Sequence, residues 1–432
     1  MMPATGKGAP IAARILLILA AGLLVTGHAR AGSPEGKGAG ELLIMKKEWL
    51  VLNSKALAAG DSRLKRALDR LVKRAEKALQ AGPFSVTQKK RKPPSGDRHD
   101  YMSVGPYWWP DPKKKDGLPY VRRDGQVNPE SRTDSDSPRM SRMCSAVRTL
   151  ALAWHFAGED RYARRAALLL RTWFLDPGTR MNPHLEYGQA IPGRVEGRGV
   201  GIIDTHGLIS VVDSAQLLRA SKSWTAADHR GLRKWFDAYL KWLLESGHGR
   251  DESRAHNNHG AWYDAQVACF ALFAGRKQTA RKVLAAAGRK RIAGRIDSRG
   301  RQKHELARTR SFDYSCFNLA ACFTLARLGE SVGVDLWNFG SGKKPALRAA
   351  LDYLAPHADP AEKWRHKQIT EPRREALPPL LHQGLLVYGD PGYARAIAKI
   401  PAGTRRRGFA ELIYPVPKEK KATRASGVRK HK

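Results

Sequence analysis

The stretch SPRMSRMCSAVRTLALAWHFAGEDRYARRAALLLRTWFLDPG, residues 137–178, has the pattern of two helices joined by a very short turn. Ser137 can serve as an N-cap with Pro138 after it, Gly158 ends the first helix, and Asp160 begins the second. Apolar residues recur at every third or fourth position in both halves, which is the helical period. These residues are Met140, Met143, Val147, Leu150 and Trp154, then Tyr162, Ala166, Leu169 and Trp173.

The same pattern returns further along the chain. Thr225 can cap a helix that ends before Gly247, Asn258 can cap one that ends at Gly275, and residues 313–328 form another. Strand-like alternation is scarce, and no strict repeat is visible. Helices in pairs with short turns therefore predict an all-α protein of stacked helical hairpins.

One segment, residues 100–132, lacks helical periodicity and is dense in Tyr, Trp, Pro and Gly. We predict a long ordered loop, and such loops are often functional. Tyr107, Trp108 and Trp109 are its candidate binding residues, because exposed aromatic rings offer flat faces to sugar rings. The alternative is that these rings only pack in the core.

The N-terminus has the composition of a targeting signal. Lys7 and Arg14 precede an apolar run at residues 15–25. Ala29-Arg30-Ala31 then supplies the small residues of a signal peptidase cleavage site. We predict a signal peptide over residues 1–31, and hence a periplasmic or secreted protein without a stable membrane span. An uncleaved anchor is the alternative.

The C-terminus is rich in charge instead. Residues 417–432 carry many lysines and arginines and very few apolar residues, so we predict a disordered tail. Between the two ends, residues 32–416 are predicted to form one domain.

The net charge is +37, from 77 Lys and Arg against 40 Asp and Glu. Such an excess attracts nucleic acid, anionic lipid or acidic polysaccharide. The signal peptide and the lack of a helix-turn-helix, zinc or RNA-binding motif argue against nucleic acid, and the charge alone does not decide between anionic lipid and an anionic polysaccharide. A generally basic host proteome is an alternative reason for the charge, and the oligomeric state is not predicted.

Cys144, Cys269, Cys316 and Cys322 lie in apolar helical stretches without CxxC spacing. No metal site is predicted from them, and no cofactor is expected. Buried free thiols are the expected state, with one disulfide as the alternative in an oxidising compartment.

The segment RAHNNHGAWY, residues 254–263, comes at the start of an apolar helix. Amide and imidazole groups there share the positive potential of a helix N-terminus, which suits an anionic ligand. Asn258 and His259 are therefore candidates for chemistry, with Asn257 and Tyr263 beside them. The alternative is that Asn258 only caps the helix and His259 is solvated.

The segment ELARTRSFDY, residues 305–314, brings Arg308, Arg310 and Tyr314 into a turn before a helix. Arginine can hold a carboxylate through two N–H groups, and a tyrosine beside cations has a more accessible phenolate. The alternative is a basic surface turn with Tyr314 packed on the core.

Together with NPHL at residues 182–185 and GRGVGIID at residues 197–204, these segments resemble the alginate lyase superfamily, which includes alginate lyases and related glucuronan lyases. The resemblance covers roughly residues 100–329 and rests on NNHGAWYDAQ followed by ELARTRSFDYS. It implies an all-α fold, an (α/α) toroid or incomplete barrel of helical hairpins, with a single catalytic domain.

The resemblance also implies site residues. An Asn-His pair, an Arg and a Tyr line the cleavage site in that family, and Asn258, His259, Arg308 and Tyr314 match this pattern. Arg308 and Tyr314 are one residue closer together than in alginate lyases, which is more similar to the glucuronan-cleaving branch. The residues expected to bind substrate are Asn257, Arg310, Tyr107, Trp108, Trp109, Asn182, His184 and Tyr263.

The implied activity is that of an exported polysaccharide lyase. It would cleave mannuronate- or glucuronate-type links of an acidic polymer by β-elimination and leave 4,5-unsaturated uronate ends. Arg308, Asn258 and His259 would neutralise the C6 carboxylate, while Tyr314 removes H5 and protonates O4. In the alternative, His259 is the base and Tyr314 only the acid.

Two other classes of protein remain open from the residues alone. A glycoside hydrolase on a similar toroid needs two carboxylates about 5–10 Å apart. Candidates are Asp204, Asp213, Glu252 and Asp264. A non-catalytic polyanion-binding protein would account for the charge, and its binding would weaken strongly with salt.

Overall fold

The computed structural model describes residues 41–416 except Asp134 and Ser341. The predicted signal peptide and the predicted tail lie outside these residues. The helices are α1 Lys47–Ala58, α2 Ser62–Leu79, α3 Glu130–Thr133, α4 Ser137–Ala157, α5 Asp160–Leu170, α6 Leu208–Leu218, α7 Ala226–Glu245, α8 Gly247–Arg254, α9 Asn258–Ala274, α10 Lys277–Ala287, α11 Lys303–Leu306, α12 Ser311–Glu330, α13 Ala346–Leu354, α14 Leu377–Tyr388, α15 Pro391–Lys399, α16 Ala402–Arg405 and α17 Ala410–Ile413.

The helices pack as hairpins arranged side by side around a ring. Contacts run in order from α2 to α4, α6, α9, α12 and α14, with α5, α7, α10, α13 and α15 packed against members of this inner series. At the end of the described chain, α17 contacts both α14 and α2, which brings the first and last helices together. The prediction of an all-α toroid is confirmed.

Local signals explain most helix ends. Gly158 ends α4 with a left-handed φ of 72°, and Thr225 caps α7 by accepting from the Asp228 N–H. Two N-cap predictions are wrong. Asp136 precedes α4, so that Ser137 is already helical. Asn257, and not Asn258, caps α9, because its side chain accepts from the His259 N–H while Asn258 is already helical. The last predicted helix also begins at Ser311, two residues before Asp313.

Four short strands interrupt the helical pattern. β1 Met102–Val104 pairs in parallel with β4 Tyr187–Ala190, and β2 Trp108–Trp109 pairs antiparallel with β3 Val121–Arg122. Three of them lie inside the segment predicted as a long ordered loop. These pairings order the loop and carry Tyr107 on the turn between β1 and β2.

The helix α9 lies at the centre of the packing. Nearly all of its residues are buried, including Phe270 and Cys269, and it contacts α6, α7, α10 and α12. A helix that is apolar all round is expected in such a position. Its N-terminus, with Asn258 and His259, is therefore held by packing on several sides.

The four cysteines are buried free thiols, and no disulfide joins them. None of the described helices is long and apolar enough to cross a membrane. Among the described residues, no group of three or more His, Cys, Asp or Glu is arranged to hold a metal ion.

The start of the described chain is tied to the ring by one buried carboxylate. Asp213 on α6 accepts from the backbone N–H groups of Leu43, Ile44 and Met45 at 2.7, 3.0 and 2.7 Å. Burial raises the pKa of Asp213 to about 6, against the effect of these donors, so the carboxyl is ionised at neutral pH.

Replacing Asp213 by Ala is expected to lower the free energy of unfolding by about 3 kcal/mol, because three N–H donors lose their acceptor. Denaturant unfolding measures this change. Asp69→Ala, which removes an exposed carboxylate on α2, is the matched control and should leave the midpoint nearly unchanged. Equal effects of the two variants would show that Asp213 does not anchor the N-terminal segment.

Candidate active site

Tyr107, from a distant part of the sequence, meets Arg308 and Tyr314 at the start of α12. The Tyr314 hydroxyl lies 2.6 Å from the Tyr107 hydroxyl and accepts from Arg308 Nη2 at 3.0 Å. The Arg308 guanidinium also lies over the Tyr314 ring, 3.9 Å from its centroid. Two groups that can donate hydrogen bonds thus converge on one phenolic oxygen.

Asp124 holds Arg308 in place. Its carboxylate accepts from Arg308 Nη2 at 2.8 Å and Nε at 3.2 Å, and from the Thr309 hydroxyl at 3.0 Å. Burial alone would raise the pKa of Asp124, but the hydrogen bonds from Arg308 and Thr309 outweigh it and lower this pKa to about 2. Among the described residues no oxygen accepts from Arg308 Nη1, which leaves that atom available to a ligand.

The expectation that neighbouring cations favour the phenolate of Tyr314 needs correction. Burial raises the pKa of Tyr314 above its ordinary value, Tyr107 raises it further, and Arg308 only partly opposes them. The phenol is therefore protonated at neutral pH in the empty site. A desolvated phenolate costs more free energy than one arginine returns.

Asn258 is buried and oriented by Glu305. The Glu305 carboxylate accepts from the Asn258 backbone N–H and from its side-chain Nδ2, both at 2.7 Å. Asn258 Oδ1 has no hydrogen-bond partner among the described residues. Burial raises the pKa of Glu305, whereas the Asn258 donors and the charges of Arg308 and His259 lower it. Glu305 thus lies close to all three of these predicted site residues.

His259 is oriented by a second buried carboxylate. Its Nδ1 lies 2.7 Å from Glu252 Oε1, and the Glu252 side chain is only 1% exposed. Since the carboxylate accepts from Nδ1–H, a neutral ring carries its lone pair on Nε2. Among the described residues Nε2 has no partner, and the ring is partly exposed.

The two tryptophans of the aromatic segment, Trp108 and Trp109, follow Tyr107 directly in the chain and form β2. The Trp108 ring is flanked by the guanidinium groups of Arg194 and Arg198, at 5.5 and 5.7 Å from its centroid. Trp109 donates to the Gln126 carbonyl and lies beneath Arg123. Both rings are partly exposed, and their binding role stays a prediction.

Several other predicted binding residues lie elsewhere. Tyr263 is buried and donates to the Leu243 carbonyl, so it packs in the core and cannot bind substrate. The Arg310 guanidinium pairs with Asp313 and donates to Thr370. Asn257 caps α9 and lines a small polar cavity instead of contacting Tyr314.

Asn182 and His184 form a separate polar cluster. Asn182 Nδ2 donates to Asp97 and Asp100, and His184 Nε2 lies 2.9 Å from the same Asp100. Among the described residues, neither of the two contacts Tyr314, Arg308 or Tyr107. Their polar atoms fix the connection before β4, and the structure gives them no place in the Tyr314 cluster.

The carboxylates considered for hydrolysis are all engaged in the scaffold. Asp213 holds the N-terminal segment, Glu252 orients His259, and Asp264 pairs with the buried Arg291 at 2.6 Å. Asp204 accepts from the Tyr101 and Ser103 hydroxyls and from Gln189. Each of these four carboxylates has a partner, so the set contains no free pair that could carry out hydrolysis.

Sequence reasoning missed the residues that orient the site. The sequence gives no role to Glu305, although this residue begins the segment ELARTRSFDY, and it indicates Glu252 only as a candidate acid for hydrolysis. Asp124 lies in the aromatic segment at residues 100–132 and Arg198 in GRGVGIID, but the sequence gives neither a role; in the structure Arg198 donates to the Gln189 carbonyl and lies over Trp108. A local signal existed only for Glu305, three residues before Arg308.

Gly125 allows the loop of Asp124 to approach Thr309. Its φ is +74°, and a Cβ at this position would collide with Thr309 Oγ1. Gly125→Ala is expected to displace Asp124 and Arg308 and to lower kcat/KM by roughly 10–100-fold, since a shift of about 1 Å at a site has such effects. Gly60→Ala, with φ +86° and open space around it, is the matched control. Unchanged activity of Gly125→Ala would contradict this account.

Comparison with known proteins now adds to the geometry. The alginate lyase family profile matches residues 85–364. The chain belongs to the alginate lyase family. The crystal structure of an alginate lyase from Bacteroides ovatus is 37% identical, with a TM-score of 0.81, covering 87% of this chain and 99% of that one. As a family member, the protein is a polysaccharide lyase.

More distant structures of the alginate lyase family share the fold. Alginate lyase A1-III of Sphingomonas species A1, in a Tyr→Phe variant complexed with a tetrasaccharide, is 16% identical with a TM-score of 0.53. That match covers 85% of this chain and 95% of the other. A His→Ala variant with a tetrasaccharide gives a TM-score of 0.51 at 16% identity, over 80% and 94%. Among curated proteins, none matches the chain.

Proposed function

We propose that this lyase is exported and cleaves mannuronate- or glucuronate-type links of an acidic polysaccharide by β-elimination, leaving 4,5-unsaturated uronate ends. Family membership supports the reaction class, and the similar structures named as alginate lyases support a uronate polymer. The observation that carries the proposal is the contact of Arg308 and Tyr107 with the Tyr314 hydroxyl.

Proton abstraction is the task we assign to Tyr314. Before it can take H5, the phenol must release its proton to solvent water; Arg308 Nη2 and the Tyr107 hydroxyl can then both donate to the resulting oxygen anion. Such preorganised donors stabilise a charge more effectively in a desolvated site than in water. The same oxygen, once it has taken H5 from the sugar, can deliver a proton to O4 as the leaving group departs.

Neutralising the C6 carboxylate is the second task. H5 is barely acidic while that carboxylate is fully charged, because the carbanion adds negative charge beside it. Arg308 has Nη1 without an acceptor among the described residues, and the N-terminus of α9 adds positive potential at Asn258 and His259. We assign these three residues to the carboxylate: Glu305 positions Asn258, and Glu252 positions His259, whose Nε2 donates only when both ring nitrogens carry a proton.

His259 is the alternative base, and stereochemistry separates the two possibilities. In mannuronate and glucuronate, H5 and O4 lie on the same face of the ring, so Tyr314 alone can serve both. In guluronate they lie on opposite faces, and a second group such as His259 Nε2 is needed. Rapid cleavage of polyguluronate would therefore contradict a mechanism in which Tyr314 acts alone.

A panel of polyuronates tests the function. Polymannuronate, polyguluronate and glucuronan are incubated with the protein, and products are followed by the ultraviolet absorbance of the conjugated double bond. We expect absorbance to rise on polymannuronate or glucuronan, and little on polyguluronate. New reducing ends without absorbance would indicate hydrolysis and overturn the proposal.

For export and for the domain boundaries, our proposal is the one that the sequence predicts. We propose cleavage after Ala31, a mature catalytic domain over residues 32–416, and a basic tail over residues 417–432. N-terminal sequencing of protein recovered from the periplasm or medium tests this. An intact N-terminus on membrane-bound protein would favour an uncleaved anchor.

A further inference from the structure

A second cavity lies where the two ends of the ring meet. It has a volume of about 670 Å³ and is bounded by α2, α4, α6, α14 and α17. We call it the seam cavity and define it by its five cationic lining residues, which are Arg74, Lys77, Arg142, Arg148 and Arg407. Its size is within the range of small-molecule sites, roughly 300–1,000 Å³. None of its lining residues belongs to the Tyr314 cluster.

The seam cavity is positively charged without compensation from its own walls. No Asp or Glu is among its described lining residues. Arg407 approaches Glu375 only at 3.6 Å, where both side chains are exposed, and Arg74 donates to the backbone carbonyls of residues 406 and 407. Cations gathered in a concave surface raise the local concentration of anions.

Arg148 lies in the wall of the seam cavity and is partly exposed. Its guanidinium and that of Arg74 lie 5.8 and 5.3 Å from the centroid of the Phe409 ring. Burial lowers the pKa of Arg148, while Tyr414 and Asp213 only partly oppose this effect. Among the described residues, no oxygen accepts a hydrogen bond from this guanidinium, although it carries five N–H donors. Asp213 accepts from three backbone N–H groups and, among the described residues, not from Arg148.

The rest of the wall indicates what kind of anion fits. Ser145 and Ser210 line the cavity together with Phe84 and Ile413. The Ser210 hydroxyl donates to the Gly207 carbonyl, and its oxygen can still accept. Carboxylates suit the arginines, sugar hydroxyls suit the serines, and the C–H face of a sugar ring suits the apolar wall. A simple inorganic anion would use only the first of these features.

We propose that the seam cavity is a second, non-catalytic binding site for a short acidic oligosaccharide. The identity of the ligand as a uronate rests on the proposed function, whereas the anionic character rests on the cavity alone. Arg148 and Arg74 bind its carboxylates, and the site holds a saccharide apart from the cleft at Tyr314.

Calorimetric stoichiometry tests the proposal. A saturated mannuronate trisaccharide is titrated into the Tyr314→Phe protein, in which the cleft binds without turnover. We expect two binding sites in the Tyr314→Phe protein. When Arg148→Met is added, we expect either a single site or a second site whose affinity is at least tenfold weaker, as for the loss of a charged hydrogen bond. Arg66→Met, an exposed arginine on α2, is the matched control and should retain both sites.

Titrations with two other ligands define the chemistry that the seam cavity recognises. The neutral mannose trisaccharide and inorganic phosphate should each bind the Arg148-dependent site at least tenfold more weakly than the uronate. Equal binding of either one overturns the proposal, as does a stoichiometry unaffected by Arg148→Met. Thermal unfolding confirms that this variant folds; if it does not, Arg142→Met, at an exposed lining position, replaces it.

The two proposals fail separately. If no polyuronate yields absorbing products with the wild-type protein but the trisaccharide still shows Arg148-dependent binding, the proposed function fails and the seam cavity stands. If polyuronate is cleaved and Arg148→Met leaves trisaccharide binding unchanged, the seam cavity is not a saccharide site and the function stands.

Discussion

Replacing Tyr314 by Phe should reduce kcat on polymannuronate or glucuronan by about 10²–10⁴-fold or more, the usual contribution of a general acid or base. The phenyl ring can keep its position under the Arg308 guanidinium, since it loses only the hydroxyl. We therefore expect substrate affinity to change little. Initial rates from product absorbance, with equilibrium binding of an oligosaccharide, measure both quantities.

The control for this variant is a tyrosine hydroxyl outside the cleft. Tyr388 on α14 donates to the Trp337 carbonyl at 3.2 Å, and Tyr388→Phe should retain normal rates. Near-normal turnover of Tyr314→Phe would mean that the phenol is neither base nor acid. His259 would then be the next group to examine, since its Nε2 lacks a partner among the described residues.

Arg308→Ala is expected to weaken binding and catalysis together, with a loss in kcat/KM of about 10²–10³-fold. Its guanidinium contacts Tyr314 directly and has Nη1 available for a carboxylate. Asp124 keeps partners in Thr309 and Arg122, so the variant should fold. Steady-state kinetics report kcat and KM, and thermal unfolding checks the fold.

Arg310→Ala provides the contrast, because the two arginines are two residues apart. The Arg310 side chain pairs with Asp313 and Thr370 and lies away from the Tyr314 hydroxyl. We expect at most a small loss of activity for this variant. A larger loss for Arg310→Ala than for Arg308→Ala would reverse the assignment. Arg308→Lys should restore little, since an ammonium cannot serve Asp124 and Tyr314 as a guanidinium does.

The helices and several of their ends were predictable because their signals are local. Gly158 and Thr225 act through their own backbone neighbourhood, and apolar residues at helical spacing mark each inward face. The short strands were not predictable, because β1 and β2 are only three and two residues long and their partners lie elsewhere in the chain. The error at Asn257 has the same origin, since two adjacent asparagines are equally good caps by residue type.

Sequence motifs identified several residues of the site, whereas only the structure showed which of them are buried or paired. The residues Asn258, His259, Arg308 and Tyr314 came from sequence motifs, whereas the burial of Tyr263 and the outward pairing of Arg310 emerged only from packing. The protonated state of Tyr314 also depends on burial. A helical period tells which residues face inward, and it does not tell whether the inward side is core or cleft.

The amino-acid sequence by itself determined an all-α protein of stacked helical hairpins, because helical periodicity and helix ends depend on neighbours within one or two turns. The closed ring and the residues of the site were implied by the resemblance to the alginate lyase superfamily. Tertiary structure decided which groups meet. Tyr107 lies 207 residues from Tyr314, Asp124 lies 184 from Arg308, and Glu305 lies 47 from Asn258. Hydrogen bonds over such separations leave no periodic trace in a single sequence, since they arise only after the hairpins have closed around the ring.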